Sequence, residues 1–236
     1  MRLSTINEAT NSTVLQPNLY GLDASALVEF ESLLLQRDTA SAFAAMRMAA
    51  KKDGIELAIC SAYRSFEKQL SIWNAKATGK RQLLDLQHQP IDFISLSSEE
   101  IINAILLWSA LPGASRHHWG TDIDVYDACH INRDNLQLVA KEYQAGGPCH
   151  SLYLWLQQNA ARFGFYFPFQ HGKSGVSTEE WHLSYFPISK EYTNQFSGQD
   201  LAKVLHHAEF ELKQPVLSQL DKLVSHYVKF VAAPPV

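Results

Sequence analysis

Apolar residues recur at helical spacing through residues 23–54, "DASALVEFESLLLQRDTASAFAAMRMAAKKDG". This predicts one or two helices, opened by Asp23 and stopped by Gly54. Residues 1–20 carry no such period and read as irregular. Ile55, Leu57 and Ile59 then fall on alternate positions, which predicts a strand running into a loop. Helical spacing returns in "FEKQLSIWNAKATG" and in "SSEEIINAILLWSALPG", the latter capped by Ser97 or Ser98 with an acidic pair in its first turn. From Trp119 the pattern "GTDIDVYDA" predicts a strand, and "SLYLWLQQNAARFGF" predicts an amphipathic helix ended by Gly164. The last strand is "EEWHLSYFP", where Trp181, Leu183 and Tyr185 alternate with His182 and Ser184. Residues from about 198 onward read as helical, interrupted at Pro215.

Helices interspersed with short strands predict an α+β fold, with a small antiparallel sheet surrounded by helices. The chain has 236 residues, 46% of them hydrophobic and 19% charged, enough for one sizeable core and marginal for two. One catalytic domain over 1–236 is therefore expected, its core at about 55–190. Helical segments at 20–54 and 198–236 are expected to pack on it, since neither a repeat nor a low-complexity linker separates them. The formal net charge of −4 gives no electrostatic case for nucleic acid or an anionic membrane as partner. The N-terminus "MRLSTINEATNSTVLQPNLYG" is polar, unlike a signal peptide, and no apolar run is long enough to span a bilayer, so a cytoplasmic location is expected. Three cysteines, Cys60, Cys129 and Cys149, lack C-x-x-C spacing and are expected to be reduced and mostly buried.

The chemistry concentrates in two places. "SRHHWGTDIDV", residues 115–125, supplies His117, His118, Asp122 and Asp124, and "TEEWHLSY" supplies His182 just after Glu179 and Glu180. A hydrolytic zinc site takes three ligands from His, Asp and Glu and leaves a position for water, and a carboxylate within reach of that water serves as base. The residues alone thus support one or two ligands from 117–124, one from His182, and a base from the glutamate pair. Each has an ordinary alternative: a histidine beside an aromatic is commonly a hydrogen-bonded structural residue, and acidic residues commonly cap loops or face solvent. His118, His150, His171, His206 and His207 are assigned to that class.

Taken together, these residues resemble the VanY-type zinc D-alanyl-D-alanine carboxypeptidases, relatives of the VanX dipeptidases and of the hedgehog-like zinc fold. The family pattern S-x-H-x-x-G-x-A-x-D is matched by Ser115, His117, Gly120 and Asp124. E-x-W-H is matched by Glu179, Trp181 and His182, and S-G-Y-R-S followed by glutamine appears as "SAYRSFEKQ". The order and spacing agree over roughly residues 55–190. The resemblance implies one zinc ion held by His117, Asp124 and His182, with Glu179 rather than Glu180 as the base. It implies that Arg64 stabilises the oxyanion or holds a substrate carboxylate, that Gln69, Ser115 and Tyr185 line the substrate cleft, and that Trp181 is the wall orienting His182. The chain departs from the pattern at Asp122, where alanine is usual, and at Ala62, where glycine is usual. Asp122 fits an outer acceptor for a ligand imidazole.

The implied substrate is a peptidoglycan stem peptide ending in a D-amino acid. A cytoplasmic enzyme would meet recycled muropeptides, whose tetrapeptide ends in meso-diaminopimelate and D-alanine, so L,D-carboxypeptidase activity is the first expectation. D,D-cleavage of a pentapeptide or of D-Ala-D-Ala comes next. An endopeptidase acting inside the stem peptide and a non-catalytic zinc-binding module are the remaining alternatives, and Glu179 argues against the second.

Overall fold

The computed structural model describes residues 14–235. Residues 1–13, and the part of the irregular N-terminus expected there, lie outside them. A short 3-10 turn at Pro17–Tyr20 buries Leu19 and Tyr20. The first departure from the sequence reading follows. Strands β1 (Leu27–Phe30) and β2 (Leu33–Gln36) form an antiparallel hairpin where a helix is predicted. The two-residue turn between them explains it: Glu31 adopts φ 57°, a left-handed conformation that stops a helix, and the short apolar runs on either side pair with one another. Only the second half of the segment is helical, as α1 (Arg37–Lys52), opened by the Gln36 side chain accepting from the Thr39 amide.

Strand β3 (Leu57–Ser61) leads through a loop to α2 (Phe66–Ala77), and Ser97 caps α3 (Ser98–Leu106) in a reciprocal capping box with Glu100. Strand β4 (Asp122–Asp127) follows a 3-10 turn at Arg116–Trp119. After the short α4 (Ala140–Tyr143) and α5 (His150–Asn159), β5 (Phe165–Tyr166) and β6 (His182–Tyr185) complete a four-stranded antiparallel sheet of order β3-β4-β6-β5. Helices α6 (Phe186–Gln195), α7 (Gly198–His207), α8 (Lys213–Leu217) and α9 (Leu220–Val224) form the C-terminal part. Its break lies at residues 208–212 rather than at Pro215. Pro215 sits in the first turn of α8, where its missing N–H has no intrahelical partner to lose.

One hydrophobic core lies on the side of the sheet away from the functional residues, and a second is built from helices. Ile123, Val125 and Leu183 point to one side and pack with Phe43, Met46 and Leu156. A helical core gathers Trp73 of α2, Ile105 of α3 and Leu201, Val216 and Leu223 of the C-terminal helices. Period two then sends Asp122, Asp124, His182 and Ser184 to the face opposite Ile123 and Leu183, and all four are buried. Burying such a face is costly unless each polar group finds a partner. Cys60 and Cys149 are buried free thiols, whereas Cys129 is exposed. No helix among the described residues is long and apolar enough to cross a membrane.

Candidate metal centre

Cross-strand pairing sets Asp124 opposite His182, and the turn at Arg116–Trp119 carries His117 to the same place. The His117 backbone carbonyl accepts from the Arg64 amide at 3.1 Å, which ties this turn to the loop after β3. His117 Nδ1 lies 2.9 Å from the Ala62 carbonyl and donates to it, leaving Nε2 without a proton and 3.4 Å from Asp124 Oδ2. Burial pushes the His117 pKa down, which keeps that nitrogen available. His182 has Nδ1 3.0 Å from Asp124 Oδ1 and Nε2 3.0 Å from Asp122 Oδ1.

Ligand atoms of His117, Asp124 and His182 all lie within 4.8 Å of one another, and the three side chains are buried. Two imidazoles and one carboxylate are a donor set suited to zinc. The electrostatics agree with a cation there: burial opposes charge on His182, yet the carboxylates of Asp122 and Asp124 push its pKa up to about 10. The ligand trio therefore fits a divalent ion.

Glu179 Oε2 stands 3.5 Å from His182 Nδ1, beside the trio. Burial pushes its carboxyl up to about 8, against the opposing effect of His182. Glu180 is also buried but does not line the cavity, and its Oε2 has no hydrogen-bond partner among the described residues.

Asp122 is wholly buried and fully bonded. It accepts from Arg116 Nε at 2.7 Å, Thr121 Oγ1 at 2.7 Å and Ser184 Oγ at 3.1 Å, in addition to His182. Burial alone would raise its pKa, but Arg116 and His182 hold the carboxyl well below the usual range. The outer-acceptor role anticipated for Asp122 has this geometry, with a buried guanidinium behind it that sequence reasoning missed.

A cavity of about 280 Å³ opens beside the trio, lined by Arg64, Ser115, Glu179 and Trp181 among others. Arg64 donates to Gln69 Oε1 at 2.9 Å and to Ser61 Oγ at 3.3 Å. Gln69, placed in the cleft wall by the sequence reading, is instead wholly buried behind Arg64, its amide donating to the Ala110 carbonyl at 2.7 Å. Its contact with the cavity runs through the guanidinium it holds. Tyr185 is likewise not a cavity wall: alternation along β6 turns it to the opposite face from His182, where it packs on Phe165. Trp181 stacks on Trp108 at 6.3 Å and lies 5.8 Å from the Tyr143 ring. His118 has a structural role, with Nδ1 bonded to the Arg64 carbonyl and Nε2 accepting from the Gly113 amide.

Lys76 and Arg81 also line this cavity, and neither was singled out in the sequence. The signal for Lys76 was present: Phe66, Gln69, Trp73 and Lys76 share one stripe of α2, and that stripe is buried.

Comparison with known proteins agrees with this site. The family model for VanY, D-alanyl-D-alanine carboxypeptidase, matches residues 32–188. An uncharacterised protein of Haemophilus influenzae is 34% identical over 121 residues, covering 50% of this chain and 92% of that protein. A D-alanyl-D-alanine carboxypeptidase of Enterococcus faecalis is 30% identical over 143 residues, covering 59% of this chain but only 44% of the relative. Among solved structures, VanYB in complex with D-Ala-D-Ala superposes with a TM-score of 0.51 at 22% identity, covering 72% of this chain and 83% of the other. A zinc-bound variant of the vancomycin-resistance D,D-pentapeptidase VanY gives 0.51 at 24% identity, over 76% of this chain and 92% of that one. The LD-carboxypeptidase LdcB gives 0.50 at 22%, over 79% of each chain. At these identities the structural likeness speaks for the fold.

Proposed function

Because the chain belongs to the VanY family of D-alanyl-D-alanine carboxypeptidases, we propose that the cavity beside His117, Asp124 and His182 is where it removes the C-terminal D-alanine from peptidoglycan stem peptides. The observation that carries this reading is Glu179, set 3.5 Å from His182 Nδ1 at the edge of a buried trio of ligand type. His117, Asp124 and His182 hold the zinc ion. When bound, zinc supplies Lewis acidity, making water nucleophilic near neutral pH and polarising the scissile carbonyl.

The chain's own residues do the rest. Glu179 takes a proton from the attacking water and returns it to the departing amine, a role its burial suits by raising its affinity for protons. Arg64, fixed by Gln69 and Ser61, presents a planar fork to the oxyanion or to the substrate's terminal carboxylate without having to reorganise. Asp122 orients the His182 ring and sets which nitrogen faces the ion.

The finer reading is L,D-carboxypeptidase activity on the tetrapeptide, with recycled muropeptides in the cytoplasm as its source. The charge of the cavity supports it. In the tetrapeptide the residue before D-alanine is meso-diaminopimelate, whose side chain ends in a carboxylate beside an ammonium, whereas the pentapeptide places a D-alanine with no charged side chain there. D,D-cleavage is the second reading, favoured by the name of the Enterococcus relative. Incubating the zinc-loaded protein with purified tetrapeptide and pentapeptide and measuring released D-alanine tests the choice. Faster release from the tetrapeptide is expected; release from the pentapeptide alone contradicts the L,D reading.

A further inference from the structure

The Lys76 side chain is nine-tenths buried, and its ammonium, which forms no ion pair among the described residues, opens onto the cavity rather than being sealed inside the fold. A lysine in the last turn of a helix ordinarily reaches outward to water. Here the buried stripe of α2 turns it inward, into the wall of the cavity beside the metal trio. Two more cations share that wall. Arg64 bonds only to neutral groups, Gln69 and Ser61, and Arg81 is exposed at the rim with no ion pair among the described residues.

Among the described residues, the carboxylates lining the cavity are Asp124 and Glu179, and both are engaged with the histidines. Arg116, the remaining cation, is already neutralised by Asp122. Three guanidinium and ammonium groups thus face one small space without a direct ion pair among the described residues, with only Asp124 and Glu179 near enough to offset them in part. Burial, reinforced by Arg81 and only partly opposed by Glu179, brings the Lys76 pKa down to about 8. Like charges gathered on one cavity wall cost stability, which is the pattern of a site organised for an anionic ligand.

We infer that Lys76 and Arg81 form a second anion subsite, which takes a free side-chain carboxylate on the residue preceding the one released, while Arg64 serves the reacting end. The inference rests on the carboxypeptidase reading and narrows its substrate to dicarboxylate-ended peptides. Scale supports the assignment to an adjacent residue. At about 280 Å³ the cavity is at the small end for ligand sites, so an anion reached within it belongs to the cleaved residue or its immediate neighbour. One terminal carboxylate held by Arg64 leaves Lys76 and Arg81 free, and a second carboxylate on the neighbouring residue can accept hydrogen bonds from both.

The test uses a ligand that is not cleaved. Calorimetry on the zinc-loaded full chain compares the tripeptide product ending in meso-diaminopimelate with the same tripeptide carrying a carboxamide on the diaminopimelate side chain. The carboxylate form is expected to bind about tenfold tighter or more, as charge-assisted hydrogen bonds do. Arg81→Ala and Lys76→Met each bring the ratio toward one, by weakening the carboxylate form more than the carboxamide form. Arg81 is exposed, so its variant tests the subsite without threatening the fold. Equal affinity for the two peptides in the wild type, an unchanged ratio in both variants, or binding of neither peptide overturns the inference. Release of D-alanine is scored separately: an intact carboxylate preference without any release refutes the carboxypeptidase reading and leaves the subsite standing.

Discussion

Replacing Asp122 with alanine tests the buried charge network behind His182. Asp122 is the only carboxylate bonded to the Arg116 guanidinium among the described residues, and the two side chains are 0% and 3% exposed. Removing one member of a buried pair leaves the other uncompensated and costs roughly 3–5 kcal/mol. That is a large share of the roughly 5–15 kcal/mol that holds an ordinary domain folded. At roughly 2–4 °C per kcal/mol for a chain of this size, the expected fall in melting temperature is about 6–20 °C. The double variant Arg116→Met with Asp122→Ala separates charge from shape. It removes both charges together, and Ser184 and Thr193 keep their bonds to Ser189, so most of the stability is expected to return. Zinc affinity is not expected to return, because the His182 ring has lost the acceptor on Nε2; a loss of about 10- to 100-fold is expected in both variants. Thermal melting of the metal-free proteins and zinc titration against a competing chelator read the two effects independently. A single variant that melts within about 2 °C of the wild type, with unchanged zinc affinity, would refute the reasoning.

Three further outcomes follow from the same geometry. Lys76→Met is expected to raise the melting temperature at pH 7 by several degrees, because it removes the desolvation cost of a charge on a largely buried side chain. The gain depends on pH in a set direction: the folded pKa of Lys76 is held at about 8 against 10.5 in the open chain. Below pH 8 both states carry the proton and the cost is complete, whereas between these values the unfolded chain binds the proton that the folded chain has released, so wild-type stability rises with pH. Melting curves of the two proteins should therefore converge by about pH 10.5, and a constant gap contradicts the assignment. Gly21→Ala is expected to disturb Arg64 at a distance: Gly21 has φ 74°, and an added Cβ would fall on the His118 ring that bonds the Arg64 carbonyl. Its kcat/KM should drop with zinc content unchanged, and wild-type kinetics would rule the coupling out. Glu179→Gln is expected to lower kcat by about 10²–10⁴-fold, seen in single-turnover release of D-alanine.

Much of this was legible in the sequence because the strands of the site announce themselves. Alternation in "DIDVYD" and "WHLSY" separates Ile123, Val125 and Leu183 from Asp122, Asp124 and His182, and the three short motifs carry the family pattern. The hairpin at Leu27–Gln36 was not legible, since a run of apolar residues fits a helix face as well as a strand until its partner strand is known. Gln69 and Tyr185 show the same limit at the level of single residues. Spacing from a motif says which residues are near in the chain, but helix phase and strand alternation decide which face they occupy, and these put Gln69 behind Arg64 and Tyr185 across the sheet. Arg116 and Lys76 were missed for a related reason: a charged residue in a sequence reads as solvated, and only tertiary packing reveals that one is paired inside the fold and the other is not.

The central claim is that His117, Asp124 and His182 hold a zinc ion whose chemistry is worked by Glu179. The most direct test measures metal content and D-alanine release together for the wild type, Glu179→Ala and His182→Ala. The account predicts one zinc per chain and release in the wild type, retained zinc without release in Glu179→Ala, and loss of both in His182→Ala. Release by Glu179→Ala at the wild-type rate, or full zinc content in His182→Ala, would contradict it.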